Sequence, residues 1–491
     1  MKAWDYKSWL VFLGLTFTYI FLTTYSLFDN GSYWMDELFS VEASKSSLKE
    51  MFTIWLIPDV HPPLYQLVLK LWVFMFGVEE WVTRALSIIF GLIAVITFLC
   101  WLKIRFDKRS MFLGGAILVT HSLLTYYSQE ARSYAMMFLG ATTSTIFLFD
   151  YLSGYTKIIT KQFLLYFSLI ILSLSHYFGL IYSGLIIILL LFYHRKVLNQ
   201  FLLTIFVGMA MLIWPLFHFL SGRINELSGG NFWITSDGFS STIQKFTSAL
   251  FPVAAKWWKT FIATDDDGLL TIFYSVILLM ILVPGFITLN YSKRHNDPRK
   301  QTWNYMGMLF VSFLFLVIMI DYHTPISTQR NFIVILPLLV MLIIKFSMFY
   351  ITKSSSIFYF SIVSLLYFSS SILSLYSLKL KNSFPRENIK QVVAEAFSEK
   401  YKDKSKYFVK SNDCIKNYNR SMHYINKLAA ASHINWTEVN HLEACELEGS
   451  FVIIALFSAR NKFEELKVCH QNRMFFYPEQ MYGNPFFLIV K

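Results

Sequence analysis

Residues 29–81 read DNGSYWMDELFSVEASKSSLKEMFTIWLIPDVHPPLYQLVLKLWVFMFGVEEW. Whether this stretch holds a membrane span decides the topology of everything after it. It gathers Asp29, Asp36, Glu37, Glu42, Glu50, Asp59, Glu79 and Glu80, with His61 beside Pro62-Pro63, in a chain that is otherwise apolar or basic. Such groups are costly next to a membrane unless they have a task. Trp34, Leu38, Val41, Leu48 and Trp55 are spaced by threes, fours and sevens, which predicts an amphipathic helix lying on the membrane surface. Asp36 falls off that stripe. Glu37 points about 100° away from it, so the two carboxylates cannot both address one reacting atom. One is expected to act and the other to support it. Pro62-Pro63 stop the preceding helix and present Asp59 and His61 from a stiff turn.

Outward from this stretch the chain is membrane-like. Of its 491 residues 55% are hydrophobic, 18% aromatic and only 15% charged, and runs of about 20 apolar residues recur along most of it. The expected fold class is an all-α polytopic membrane protein of about eleven transmembrane helices with a small C-terminal α/β domain outside the membrane. The net charge of +12 does not signal nucleic acid, because the bases sit beside hydrophobic segments and in a lysine-rich tail rather than on one folded domain. The lipid bilayer is the expected partner, and nucleic acid is not.

Span one covers about 9–28 and starts inside, since Lys2 and Lys7 precede it, so the acidic stretch lies outside. Residues 64–76 are apolar but number about 13, too few for a bilayer that needs about 20, and they include Lys70. Read as an interfacial or re-entrant helix, they leave 82–102 as span two and put Lys103, Arg105, Lys108 and Arg109 inside. Spans three (110–127) and four (133–152) follow. The 162–193 run has basic clusters at both ends and must cross an even number of times. Two short helices broken near His176 and Tyr177 satisfy this, with a turn sunken in the membrane that is tolerable only beside a cavity. Span seven (201–220) leads to a second long outer loop, about 221–268, suited to a lid. Spans eight to eleven are 269–289, 303–320, 331–350 and 355–380. The transmembrane domain is expected over 1–383, with the first outer loop at about 29–81.

From 384 to 491 the composition turns Lys/Glu-rich. Ile389, Val392, Val393, Ala396 and Phe397 have helical spacing, while YFVK, FVIIALF and FFLIV look like strands. Of four cysteines, Cys414, Cys445 and Cys469 share this tail without metal-type spacing, which allows one disulfide. The apolar run after MKAWDYK lacks a small-residue cleavage site and reads as a retained span.

Trp34-Met35-Asp36-Glu37, then DVHPPLY, a Trp, FG, and Arg84 with Ser87 form an ordered set. It resembles the first extracytoplasmic loop of the polyprenyl-phosphate-sugar-dependent glycosyltransferases, the integral-membrane C-type (GT-C) superfamily that includes protein O-mannosyltransferases and lipid A aminoarabinose transferase. The resemblance covers roughly 30–340 and weakens in the second outer loop and tail. It implies a cell-envelope enzyme that moves a sugar from a polyprenyl-phosphate donor to a hydroxyl on a lipid, glycan or protein acceptor, with inversion. The setting it implies is the bacterial inner membrane, with the active site and C-terminal domain on the periplasmic side.

In that reading Asp36 is the base and Glu37 its support. His61, Arg132, Arg84 and Arg330 are donor-phosphate ligands, a guanidinium being able to clamp a phosphate through two parallel hydrogen bonds. Asp59, Tyr65, Glu130, His176 and Tyr177 line the substrate cavity. Blander readings stand beside these: Asp59 and His61 as a turn-stabilising pair, Glu130 and Arg132 as a structural pair, Arg84 and Arg330 as snorkelling anchors. No cofactor is certain, and His61 with Asp59 also offers donors to a divalent metal, although no DxD or His-x-x-x-His motif is near. A lipid-linked-sugar flippase and a surface-polysaccharide polymerase remain alternatives. A flippase would show inverted repeats and charges at the midplane.

The topology is checked by cysteine labelling of intact cells. Residue 45 should react from outside and residue 107 only after permeabilisation; outside labelling at 107 would make 64–76 a span.

Overall fold

In a computed structural model the described residues are 4–25, 27, 32–57, 59, 61–155, 158–221, 238–250, 300–350, 389–409, 435–439, 444, 446, 447, 450–456, 469, 474–476 and 486–490. The described chain is dominated by apolar helices. Contacts divide it into two compact units, one of Met1–Tyr25, Val60–Tyr65 and Ala85–Leu380, the other of Ser26–Asp59, Gln66–Arg84 and Lys381–Lys491.

The first unit opens with α1 (Tyr6–Thr24), capped by Asp5. The amide and hydroxyl of Ser8 donate to that carboxylate and hold it down to about 2. Helix α5 (Glu80–Arg105) is the expected second span and ends in Lys103 and Arg105. Arg105 grips Asp150 with two bonds of 2.9 and 2.6 Å, and the Trp101 indole donates to the same carboxylate at 3.0 Å. This ties the basic end of α5 to the end of α8 (Tyr134–Leu152).

The expected third span is two pieces, α6 (Lys108–Val119) and α7 (Ser122–Tyr127), because His121 caps the second through Nδ1, which accepts the Leu123 amide at 3.2 Å. The 162–193 run is the broken pair foreseen, α9 (Ile158–Ser175) and α10 (Tyr177–His194), parted at His176. Span seven bends by 41° between α11 (Leu198–Met211) and α12 (Ile213–Leu220). Pro215 lacks the amide that would bond back to Met211, and its ring crowds that carbonyl. Then come α13 (Phe239–Leu250), α14 (Lys300–His323), a 3₁₀ turn (Gln329–Ile335) and α15 (Leu336–Tyr350).

Among the described residues five helices are long and apolar enough to cross a membrane, or six with the bent pair counted as one. The expected total of about eleven is not reached among them, since spans eight and eleven lie outside the described residues and others are built of short pieces. Leu64–Phe76, with 13 residues, is among the shorter apolar helices.

Helix α8 is almost wholly buried and packs on α9, α15 and the 3₁₀ turn. Lipid gives no hydrophobic drive for helices to pair, so close approach relies on small residues. A Cβ on Gly179 would lie 2.3 Å from the Leu172 carbonyl oxygen, so the α9–α10 hairpin closes only with glycine there. Gly184, on the same helix, faces open space.

The second unit contains α2 (Met35–Lys45), α3 (Leu48–Glu50) running into a π-helical turn (Met51–Leu56), and α4 (Leu64–Phe76), whose residues from Gln66 onward belong to it. The continuous surface helix expected here is broken: the chain leaves helical geometry at Ser46, and Ser47 restarts it with a capping box to Glu50. Leu48 leaves the stripe and is exposed, whereas Phe39, Ala43 and Trp55 form a cluster. Nor is the opposite face solvated, for Glu37, Ser40, Glu42 and Ser44 are buried too.

The tail forms α16 (Ile389–Ala396) and a five-stranded sheet ordered β2-β1-β3-β5-β4 from β1 (Ser405–Val409), β2 (Trp436–Val439), β3 (Phe451–Leu456), β4 (Met474–Phe476) and β5 (Phe486–Val490). Strand β1 runs parallel to β2 and β3, while β5 is antiparallel to β3 and β4. Phe451, Val452 and Ile453 are fully buried in succession, as in a strand covered on both faces. Helix α16 packs on β3 and β5, and Cys469 is disulfide-bonded.

Overpacking the α9–α10 contact should be costly. Gly179→Ala is expected to destabilise the protein by about 1–3 kcal/mol in detergent thermal melts, and Gly184→Ala to leave the melting point unchanged; equal effects would contradict the close approach.

Candidate active site

The site residues fall into two groups, one in each unit. In the second unit, Trp34 starts α2 and its amide donates to the Glu37 carboxylate at 3.3 Å, which places Asp36 and Glu37 in the first turn. Carboxylates are favoured there by the unpaired amides of a helix start. Glu37 is fully buried and takes a fork of two bonds from Arg84, Nε to Oε1 at 2.8 Å and Nη2 to Oε2 at 2.7 Å. Arg84 Nη2 also donates to the Ser32 carbonyl at 2.9 Å, and its guanidinium lies 5.4 Å from the Tyr33 ring centre.

This corrects the expectation for Arg84. A guanidinium fully buried in a fork with Glu37 is neither a snorkelling anchor nor a donor-phosphate ligand; it clamps the start of α2. The other end of α2 is held by Lys70, whose ammonium donates to the carbonyls of Ser44 at 3.1 Å and of Ser46. A cation at a helix C-terminus is the favourable arrangement. Asp36 is only half-buried, and its carbonyl accepts the Ser40 hydroxyl at 3.2 Å. Asp59 is half-buried in a bend.

In the first unit His61, Arg132 and His176 come together, each at most 8% exposed. Arg132 Nη2 lies 3.3 and 3.4 Å from the two nitrogens of His61, and the His61 and His176 rings are 5.0 Å apart. Tyr134 lies tilted against His176 with ring centres 5.6 Å apart, and the Arg330 guanidinium sits 5.3 Å from the Tyr134 ring centre. Tyr65 reaches the Ser87 hydroxyl at 3.2 Å, and Ser87 donates to the Arg132 carbonyl at 3.4 Å. The Glu130 carbonyl accepts the Arg132 amide at 2.8 Å, and its side chain is buried.

His176 has a second task that fixes its proton. As N-cap of α10 its Nδ1 accepts the Phe178 amide at 3.1 Å. The neutral ring must then carry its hydrogen on Nε2. That buried Nε2 has no hydrogen-bond partner among the described residues. Tyr177, the next residue, turns elsewhere: its hydroxyl pairs with His218 Nδ1 at 2.5 Å. It therefore joins α10 to α12 and is not brought to the cluster.

Tyr134 and Ser87, which help build the cluster, had no assigned role from sequence; Tyr134 follows directly on the SQEARS stretch that carries Arg132. Among the described residues no group of three or more His, Cys, Asp or Glu side chains could hold a metal ion. A guanidinium against both His61 nitrogens is also a poor neighbour for a divalent cation. The residues present fit an anion better than a metal.

Fold and site thus define a polytopic membrane protein with an acid-bearing loop and a buried basic cluster. No protein-family model and no curated protein matches the sequence. Solved structures do: the chain has the fold of ArnT from Cupriavidus metallidurans in the apo state, with a TM-score of 0.56, 10% identity, and coverage of 99% of this chain and 98% of that one. ArnT bound to undecaprenyl phosphate gives 0.55, with the same identity and coverage. The Archaeoglobus fulgidus oligosaccharyltransferase in complex with Zn and sulfate gives 0.50 at 11% identity, over 97% of this chain and 73% of that one.

Removing one partner of a buried fork strands the other charge. Arg84→Ala should cost about 3–5 kcal/mol of stability, and adding Glu37→Gln should recover part of it. Thermal unfolding in detergent of the two single variants and the double variant checks the pair; simple additivity would contradict it.

Proposed function

We propose that this protein is a glycosyltransferase that moves a sugar from a polyprenyl-phosphate donor to a hydroxyl on a glycolipid, polysaccharide or protein acceptor. The observation that carries this reading is the buried His176 Nε2–H, a donor among two guanidiniums and a second imidazole. A phosphate oxygen is the ligand such a group suits. The fold shared with ArnT, one structure of which is bound to undecaprenyl phosphate, supports the same donor class.

In this mechanism Arg132, His61, His176 and Arg330 hold the donor phosphate and stabilise the charge it gains as it leaves. Asp36 accepts the proton of the acceptor hydroxyl while that oxygen bonds to the anomeric carbon. The carbon–oxygen bond to phosphate breaks, its electron pair stays with the polyprenyl phosphate, and one displacement inverts the centre. Glu37, clamped by Arg84, orients the helix that carries Asp36. Asp59, Tyr65 and Glu130 belong to the surroundings of the substrates.

The active loop and the C-terminal domain face the periplasm in this reading, in a bacterial inner membrane, and the basic clusters beside alternate hydrophobic segments support that orientation. The division into a transmembrane domain to about 383 and an outer domain from 384 goes with it.

Transfer from radiolabelled polyprenyl-phosphate sugars in membranes tests the reading. Asp36→Asn keeps the shape but cannot take a proton, so turnover should fall by about 10² to 10⁴ with donor affinity little changed. Arg132→Lys should weaken donor use, because a point charge cannot reproduce the fork. Normal turnover in folded Asp36→Asn protein would sink the assignment of the base, and donor flipping without transfer would make the protein a transporter.

A further inference from the structure

Asp321 had no assigned role from sequence. It lies in the last turn of α14 and is fully buried. Its two oxygens are used differently. Oδ1 accepts two backbone amides, Ile326 at 2.7 Å and Ser327 at 2.8 Å. Oδ2 accepts two hydroxyls, Ser327 at 2.6 Å and Thr242 of α13 at 2.5 Å, with the Lys245 ammonium 3.9 Å away. A carboxylate that accepts several donors is held in place by them.

The turn it organises leads directly to Arg330. Thr328 begins the 3₁₀ segment, its carbonyl accepting the Asn331 amide at 3.1 Å, and the Asn331 side chain donates to the Ile326 carbonyl at 3.2 Å. Three consecutive features, the Asp321 bonds, the Asn331 bonds and the 3₁₀ start, therefore fix the backbone on both sides of the residue that lies over Tyr134 beside His176. Arg330 sits on a short irregular segment rather than on a regular helix, so its placement depends on these side-chain bonds.

We propose that Asp321 is a positioning residue: it sets the 326–328 turn so that Arg330 reaches the donor phosphate, and through Thr242 it ties that turn to the one described helix of the second outer loop. The inference rests on the donor-phosphate reading of the basic cluster. It adds a carboxylate that touches no substrate and acts through Arg330.

The chemistry of the two oxygens makes the substitutions informative. Asp321→Asn retains Oδ1 for both amides, and the two hydroxyls can reverse to accept from the new amide group, so the turn survives. Asp321→Ala leaves two backbone amides without their acceptor. The test is undecaprenyl phosphate binding to the purified full chain in detergent, with donor KM and kcat read alongside. Asp321→Ala and Arg330→Ala should each weaken binding by about tenfold, and the double variant should be no weaker than either, since residues acting as one unit are non-additive. Turnover at saturating donor should fall in Arg330→Ala, whose charge also stabilises the leaving phosphate, and by a similar factor in Asp321→Ala, whereas Asp321→Asn should bind within about threefold of wild type, the hydrogen-bond count being kept.

Folded Asp321→Ala with wild-type affinity, or losses that multiply in the double variant, would overturn the proposal. If Asp321→Ala does not fold, Ser327→Ala decides. It removes one hydroxyl donor and should weaken binding by about threefold while speeding amide exchange over 324–331; wild-type affinity and exchange would overturn the inference. A wild-type chain that binds no undecaprenyl phosphate overturns the donor reading and this inference with it, whereas binding indifferent to Asp321 and Ser327 overturns the inference alone.

Discussion

Basic side chains in an apolar helix bundle are the constraint on which this architecture turns. Burying a guanidinium or an imidazolium costs several kcal/mol, yet Arg132 and His176 each lie against His61 in the first unit, with Tyr134 against His176 and Arg330 over Tyr134. The helices are interrupted where the cluster requires it. His176 ends α9 and caps α10, so the imidazole stands at a break in what would otherwise be one long apolar run. The 3₁₀ start at Gln329 does the same for Arg330. Small residues such as Gly140 and Gly179 let the surrounding helices approach. Breaks are tolerable at membrane depth when they face a polar site.

The acidic loop meets the same problem by pairing. Glu37 and Arg84 form a fully buried fork, and this clamp with the Lys70 cap holds both ends of α2. Asp36, one residue before Glu37, is left half-buried on a helix whose position is fixed. A base needs that combination of fixed backbone and access to substrate. The two carboxylates thus differ in environment although they are neighbours in the chain, and the more accessible of them is the one proposed as the base.

Much of this was legible in the sequence where the signal is local. Charge parity asked for an even number of crossings over 162–193, which two short helices broken near His176 and Tyr177 satisfy, and two helices parted at His176 are found there. The length of 64–76 separated a short apolar helix from a span. Ser47-Leu48-Lys49-Glu50 spells a capping box, so the interruption of the loop helix was written in residues that the hydrophobic stripe obscured. The break at His121 was not legible, because histidine is not among the usual caps. Contacts between distant segments were beyond spacing arguments. Arg84 finds Glu37 47 residues away, and Asp321 finds Thr242 79 residues away. A basic residue near the start of a span reads as an anchor or a ligand until its partner is seen.

The central claim is that the basic cluster is a phosphate site. Native mass spectrometry of the purified protein with undecaprenyl phosphate and with undecaprenol, the same chain lacking phosphate, tests it most directly. The account predicts one bound undecaprenyl phosphate, with the alcohol at least about tenfold weaker, since charge-assisted bonds to phosphate are worth more than the 1.4 kcal/mol that factor represents. It also predicts that Arg132→Ala removes the preference. Equal binding of the phosphate and the alcohol, or a preference that survives Arg132→Ala, would contradict it.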